Sequence, residues 1–184
     1  MKKQSKIVKI HVGAPFVADV ARRIEIWRPV SNLQPTDVPL KTKMMNGVKT
    51  ALIEIDEKLV EDFVVSAGLN ALCSQAFDRS GSRLAVFDYV AIGTDGTTPA
   101  ASQTLLIAEA MRVLGTYAKD GGTGECSLDA TFNIVATLGL QECGLFNIVT
   151  ANTVTMYCRD TYSVKNVVSG DTVKVYYTPK FQVP

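Results

Sequence analysis

Between turn signals, several stretches of the chain alternate or concentrate β-branched and aromatic residues, the pattern of strands with one face buried. Residues 6–12, 23–28, 48–56, 86–93, 110–119, 125–138, 145–150, 153–159 and 172–182 carry it, which predicts about nine strands. The last is the cleanest, with Val173, Val175 and Tyr177 on one face and Thr172, Lys174 and Tyr176 on the other. One segment breaks the period. Leu59, Val60, Phe63, Val64, Leu69, Leu72 and Ala76 recur at spacings of three and four, which predicts an amphipathic helix up to Phe77. Gly68 in its middle costs on the order of 1 kcal/mol relative to Ala. The helix can therefore begin near Ser66 instead, with residues 60–65 as a strand leading into it. Either version lays one helix against a sheet.

Turns are marked by the Gly/Thr/Asp/Pro run at residues 93–99, the glycine-rich run at 120–124 and Ser169, Gly170 and Asp171. Pro29, Pro35 and Pro39 stand among polar residues, so residues 28–39 read as an extended arm or a long loop without a core of its own. Two regions follow: residues 1–45, a strand and a proline-bearing arm, and residues 46–184, the folded domain. The expected fold class is mainly β, an antiparallel β-sandwich-like domain with one α-helix packed on it and an extended N-terminal arm. No repeat of fixed period is present.

Composition narrows the partners. The chain has 184 residues, 47% hydrophobic and 20% charged, enough for one sizeable core. Nineteen basic residues stand against 18 acidic ones, so no net field draws the molecule to nucleic acid or an anionic membrane, and neither is an expected partner. Lys2, Lys3, Lys6 and Lys9, interleaved with Ile7, Val8 and Ile10, read as a solvated terminal strand or tail. No run approaches the roughly 18 apolar residues of a membrane span, and no apolar core of a secretory signal opens the chain. The expectation is a cytosolic protein, or one exported without a signal peptide. Cys73, Cys126, Cys143 and Cys158 form no CxxC pair, and free buried thiols are expected.

Catalytic patterns are sparse. His11 is the one histidine, so a Ser-His-Asp, Cys-His or histidine-rich zinc constellation would rest on it alone. Glu54, Asp56, Glu57, Glu61 and Asp62 cluster but fit no metal-loop spacing; they read as a solvated strand end and the acidic first turn of the following helix. The 93–98 run lacks the GK[ST] of a phosphate loop. Trp27, Tyr89, Tyr117, Tyr157, Tyr162, Tyr176 and Tyr177 suit core packing as well as an interface. No catalytic, cofactor-binding or metal-ligating residue is nominated, and no cofactor is expected.

Four stretches of the chain carry motifs in a fixed order. Tyr89 to Arg112, YVAIGTDGTTPAASQTLLIAEAMR, is similar to a strand ending in an "aiGtGtTaPaasDtaL" turn followed by a Glu and an Arg. Val65 to Asn70, VSAGLN, resembles the helix start before it; Gln141 to Asn147, QECGLFN, resembles an "EaGlFn" turn after it; and YSVKNVVSGDTVKVY, Tyr162 to Tyr176, resembles the closing strand. The likeness spans about residues 60–181 and departs from the pattern at Asp95, Gly96, Gln103 and Cys143, positions that bear on the branch of the family rather than on the fold. In this order the motifs resemble those of tailed-bacteriophage virion proteins, and the resemblance implies a structural subunit of tail, neck, baseplate, fibre attachment or capsid surface, made in the host bacterial cytoplasm and resident in the virion. Its partners would be copies of itself in a symmetric homo-oligomer and other virion proteins. It also implies a fixed charge pair between Glu109 and Arg112, turns held by Gly93, Gly144 and Gly170, and assembly surfaces in the N-terminal strand with Trp27 and in the 28–39 arm. The alternatives are a carbohydrate- or receptor-binding module of a phage fibre and, beyond it, a hydrolase built on Glu54 or Asp56.

Overall fold

A computed structural model of the chain describes residues 17–58, 63–78, 86–119, 124–150 and 155–182; the expected strand at 6–12, with His11, lies outside them. In chain order the elements are β1 (Val17–Pro29), a 3-10 turn (Val30–Asn32), β2 (Lys41–Met45), β3 (Val48–Lys58), β4 (Phe63–Val64), α1 (Ser66–Phe77), β5 (Tyr89–Gly93), β6 (Glu109–Leu114), β7 (Thr116–Lys119), β8 (Cys126–Asn133), β9 (Leu138–Phe146), β10 (Met156–Val167) and β11 (Thr172–Gln182). They form two antiparallel sheets in the orders β2-β3-β1-β11-β8-β7 and β4-β10-β9-β5-β6. Among the described residues the fold is mainly β and sandwich-like, with a single α-helix, as the pattern predicts.

The core lies between the sheets. In β11, Val173, Val175 and Tyr177 are fully buried, while Thr172, Lys174 and Tyr176 are half-buried on the opposite face. Ile24 and Ile26 of β1, Leu128, Ala130 and Phe132 of β8, and Leu140, Cys143 and Leu145 of β9 join them in one apolar cluster. Each large aliphatic or aromatic side chain so buried contributes about 1.5–3 kcal/mol. A smaller cluster, Val65, Ala91, Leu106, Phe146 and Met156, packs on the other face of the five-stranded sheet, under α1 and the loop at residues 94–108. That outer layer shapes the candidate site.

Several expected elements are redrawn. The helix takes the shorter version, Ser66–Phe77, with Phe63–Val64 as the strand before it. Gly68 stands mid-pattern because the helix crosses β10 so closely that a Cβ there would collide with the Tyr157 backbone. The strand expected at 110–119 divides at Gly115 between the two sheets, β6 in one and β7 in the other; a Cβ at Gly115 would lie 2.7 Å from the Leu128 side chain. Residues 125–138 hold β8 and only the start of β9, and residues 147–150 are not strand. Of residues 1–45, Val17–Pro29 is an interior strand between β3 and β11, and Lys41–Met45 is an edge. β2 joins β3 through a two-residue turn at Asn46 and Gly47, both at positive φ (50° and 79°), the geometry that Asn-Gly favours in hairpins.

Candidate functional site

The 94–108 loop, which carries most of the family-like motif, is fastened to the outer face of the five-stranded sheet by a buried ion pair. Arg159 of β10 and Glu142 of β9 are both 0% exposed, with Arg159 Nε 2.9 Å from Glu142 Oε2. Glu142 also accepts the backbone N–H groups of Ile107 (3.1 Å) and Ala108 (2.7 Å), and Arg159 Nη1 donates to the Thr97 carbonyl at 2.7 Å. Asp95 lies 3.6 Å from Arg159 Nη2 and caps the turn by accepting from Thr97 N–H; hydrogen bonds from Thr97 and the Arg159 charge hold its carboxyl below the usual range. Gln141 Nε2 donates to the Thr94 carbonyl, and Gln103 Oε1 accepts from Ala100 N–H. A carboxylate with two amide donors and a guanidinium is satisfied while buried, the condition for keeping a charge out of water.

Gly93 sits where the loop leaves β5, and a Cβ there would stand 2.5 Å from both the Ala108 carbonyl and Glu142 Oε1. It is a strand-end residue chosen for close approach, as is Gly144 within β9, whose Cβ would stand 2.8 Å from the Cys158 carbonyl. Neither holds a turn, and the 141–147 segment expected as a turn is mostly β9, an interior strand. Gly170, at φ +92°, does hold one. The Glu109–Arg112 pair is present and bidentate, with Arg112 Nε 2.9 Å and Nη2 2.6 Å from the carboxylate oxygens. Arg112 also lies over the Phe146 ring at 3.8 Å and donates to the Ile148 carbonyl.

A second ionic cluster joins the sheets. Arg22 of β1 reaches Asp56 of β3 at 2.9 Å and Asp160 of β10 at 3.1 Å, and stacks over Tyr162 at 4.8 Å. Lys165 of β10 reaches Glu54 at 2.8 Å and Asp56 at 3.0 Å. Burial alone would raise the Asp56 carboxyl, but the Lys165 hydrogen bond and the Arg22 charge outweigh it and hold it below the usual range. A general acid would need the opposite shift. Glu54 and Asp56 are thus parts of a bridge between sheets rather than a solvated strand end; Glu61 and Asp62 lie outside the described residues, and the first turn of α1 has no acidic residue. Among the described residues no group of three or more His, Cys, Asp or Glu is placed to hold a metal.

Trp27 is 0% exposed, with its indole N–H donated to Glu25 and the Lys43 ammonium 3.8 Å from its ring. The 28–39 arm is tied down where it starts. Arg28 pairs with Asp171 through two hydrogen bonds (2.9 and 2.7 Å) and with Asp37 at 2.7 Å. Tyr157 and Tyr177 are buried, whereas Tyr117 is 65% exposed on β7. Of the cysteines, Cys143 and Cys158 are buried thiols as expected, Cys126 is half-buried and Cys73 exposed.

The surface feature that sequence reasoning missed is the β2 edge of the larger sheet. Val38 and Leu40 just before β2, Met44 within it and Val48 at the start of β3 are 74%, 59%, 64% and 48% exposed, and β2 pairs with β3 on one side. The Asn46-Gly47 signal would have found the hairpin. Among the described residues no helix is long and apolar enough to cross a membrane. Comparison of the chain with protein-family models, with curated proteins and with solved structures returns no match.

Proposed function

We propose that this chain is a structural subunit of a tailed-bacteriophage particle, assembling by protein–protein contacts with copies of itself and with other virion proteins. The observation that carries the reading is the open β2 edge, with Met44 on it and Val38, Leu40 and Val48 beside it exposed. A sheet edge presents unpaired backbone N–H and C=O groups, and monomeric proteins shield such edges with charge, proline or a covering element. Here Lys41 and Lys43 supply charge, but both ammoniums lie over Trp27, at 5.4 and 3.8 Å from its ring, while Leu40 and Met44 face water. An edge of this kind suits pairing with a neighbour's strand. The motif order that resembles virion proteins supplies the setting.

The test is the mass of the full-length protein by light scattering and sedimentation velocity from about 1 to 200 μM, since a stable interface buries on the order of 1,600 Å². A defined oligomer is expected, and Leu40→Glu with Met44→Glu is expected to dissociate it while the circular dichroism spectrum is kept. A monomer throughout that range would count decisively against the proposal.

A further inference from the structure

Among the described residues the six-stranded sheet has two open edges, β2 and β7, which pair on one side only, with β3 and β8. All four residues of β7 and the first four of β2 are exposed. Every neighbouring pair in this sheet is antiparallel and the strands number six, so β2 and β7 run in opposite directions. A second copy that continues the sheet past β2 therefore brings its own β7 alongside in antiparallel sense, with inner and outer faces matched.

The side chains on the two faces are complementary. On the outer face of β2, Lys41 and Lys43 lie over Trp27, and burial together with the nearby Lys174 holds the Lys43 ammonium below its ordinary range. Beside β7 the same face carries carboxylates. Asp129 of β8 is exposed and opposite both Thr116 of β7 and Tyr176 of β11, and half-buried Glu125 stands four residues before it. Lys119 of β7 alternates to the other face. On that core-side face Met44 is 64% exposed at β2 and Tyr117 65% at β7, where Tyr117, Asp88 and Leu114 line the open side of an apolar cavity of about 580 Å³. An unbranched methionine side chain suits an irregular gap of that kind. Pairing β2 with the β2 of another copy in a continuous sheet would instead set lysines against lysines, and like charges across a strand pair are destabilising.

We propose that β2 of one copy pairs antiparallel with β7 of the next, Lys41 and Lys43 meeting Asp129 and Glu125 on the outer face and Met44 meeting Tyr117 on the other. The inference rests on the reading of β2 as an assembly edge and names the strand that it meets. Such a contact is head-to-tail: each copy added leaves one β2 and one β7 open, so copies add until they close as a ring.

The test compares, by sedimentation velocity across a concentration series, the full-length parent, Leu40→Glu with Met44→Glu, and a β7 variant, Tyr117→Glu with Asp129→Lys. Each variant alone is expected to sediment as a monomer. An equal mixture of the two is expected to give a dimer that grows no further, because one intact β2 and one intact β7 remain between them. A folded β7 variant that assembles as the parent does overturns the pairing and leaves β2 as an edge with some other partner, whereas a monomeric parent removes both readings. A mixture that stays monomeric at every concentration overturns the pairing as well. If the β7 variant loses the parent's circular dichroism spectrum, Ala118→Lys takes its place, since it sets a cation against Lys41 and Lys43 from an exposed position on the same strand.

Discussion

Replacing Arg159 with Met removes the cation from beneath the 94–108 loop and leaves Glu142 buried with two amide donors and no counter-charge. Breaking a fully buried pair from one side destabilises by about 3–5 kcal/mol, because the remaining charge is neither solvated nor paired. Both partners here are 0% exposed, so the full range applies. The hydrogen bond from Arg159 to the Thr97 carbonyl, on the exposed turn of the loop, is lost as well. For a chain of this size the loss lowers the melting temperature by roughly 10 °C. Urea unfolding can be followed by the emission of Trp27, which is the only tryptophan and is fully buried. The control is Arg159→Met with Glu142→Gln, in which a neutral amide still accepts from one of the two N–H groups; it is expected to recover about 1–2 kcal/mol of the loss. A single variant within about 1 kcal/mol of the parent at unchanged m would refute the idea that the pair clamps the loop. A double variant less stable than the single one would refute the buried-charge account.

Three further outcomes are expected. Asp56, Glu25 and Asp37 are held below their ordinary values chiefly because hydrogen bonds and cations outweigh burial, so their contribution is complete above about pH 5 and is lost as pH falls through their native values. Lys165 is held above its ordinary value, and burial beside Glu25 pushes the Tyr176 phenol up to about 12, so stability is kept below about pH 10 and lost above it; urea midpoints across pH 3–11 should form a plateau falling on both sides. Gly68→Ala should destabilise by about 1–3 kcal/mol despite the better helix propensity, because the methyl meets the Tyr157 backbone; a raised urea midpoint would contradict this packing. Asp171→Asn, which removes the charge under Arg28, should cost about 3 kcal/mol and speed proteolytic cutting within residues 33–40, and unchanged cutting there would mean the arm is held by other contacts.

Strands with strict alternation were legible from sequence, β11 above all, because one face meets the core and the other meets water or the sheet's outer layer. β9 was not. Its Glu142 is polar yet fully buried and its Gly144 has no side chain to show a face, so residues 139–144 carry no strand alternation, and the turn expected there came from the resemblance alone. The run 110–119 read as one strand because periodicity does not register a change of sheet; only the Leu128 side chain above Gly115 explains the division. The loop clamp was half legible. Glu109 and Arg112 lie three residues apart, so a local pattern suggests them, whereas Arg159 and Glu142 are 17 residues apart and meet only through the β9–β10 pairing.

The charged groups between the sheets bear on a different question from stability. Arg22, Asp56, Asp160 and Lys165 each lose hydration on burial, and well-packed apolar residues of similar volume would often serve stability as well. What apolar residues lack is a preference for one alignment. The pairing of β1 with β3 sets Ile24 opposite Asp56, and β10 sets Asp160 opposite Cys143 of β9; Arg22 reaches both carboxylates only when the two sheets stack in this way. Slipping β1 by one residue so that Ala21 takes the place of Arg22 would leave Asp56 and Asp160 without that cation and carry Arg23 into the place of Ile24 in the apolar core, and the opposite slip would carry Glu25 there. The cluster therefore penalises the wrong stacking more than it rewards the right one. A subunit that must present the β2 edge in one fixed position to a neighbour has use for that penalty, because β2 is positioned by β3, and β3 is tied through Asp56 to Arg22 of β1 and Lys165 of β10.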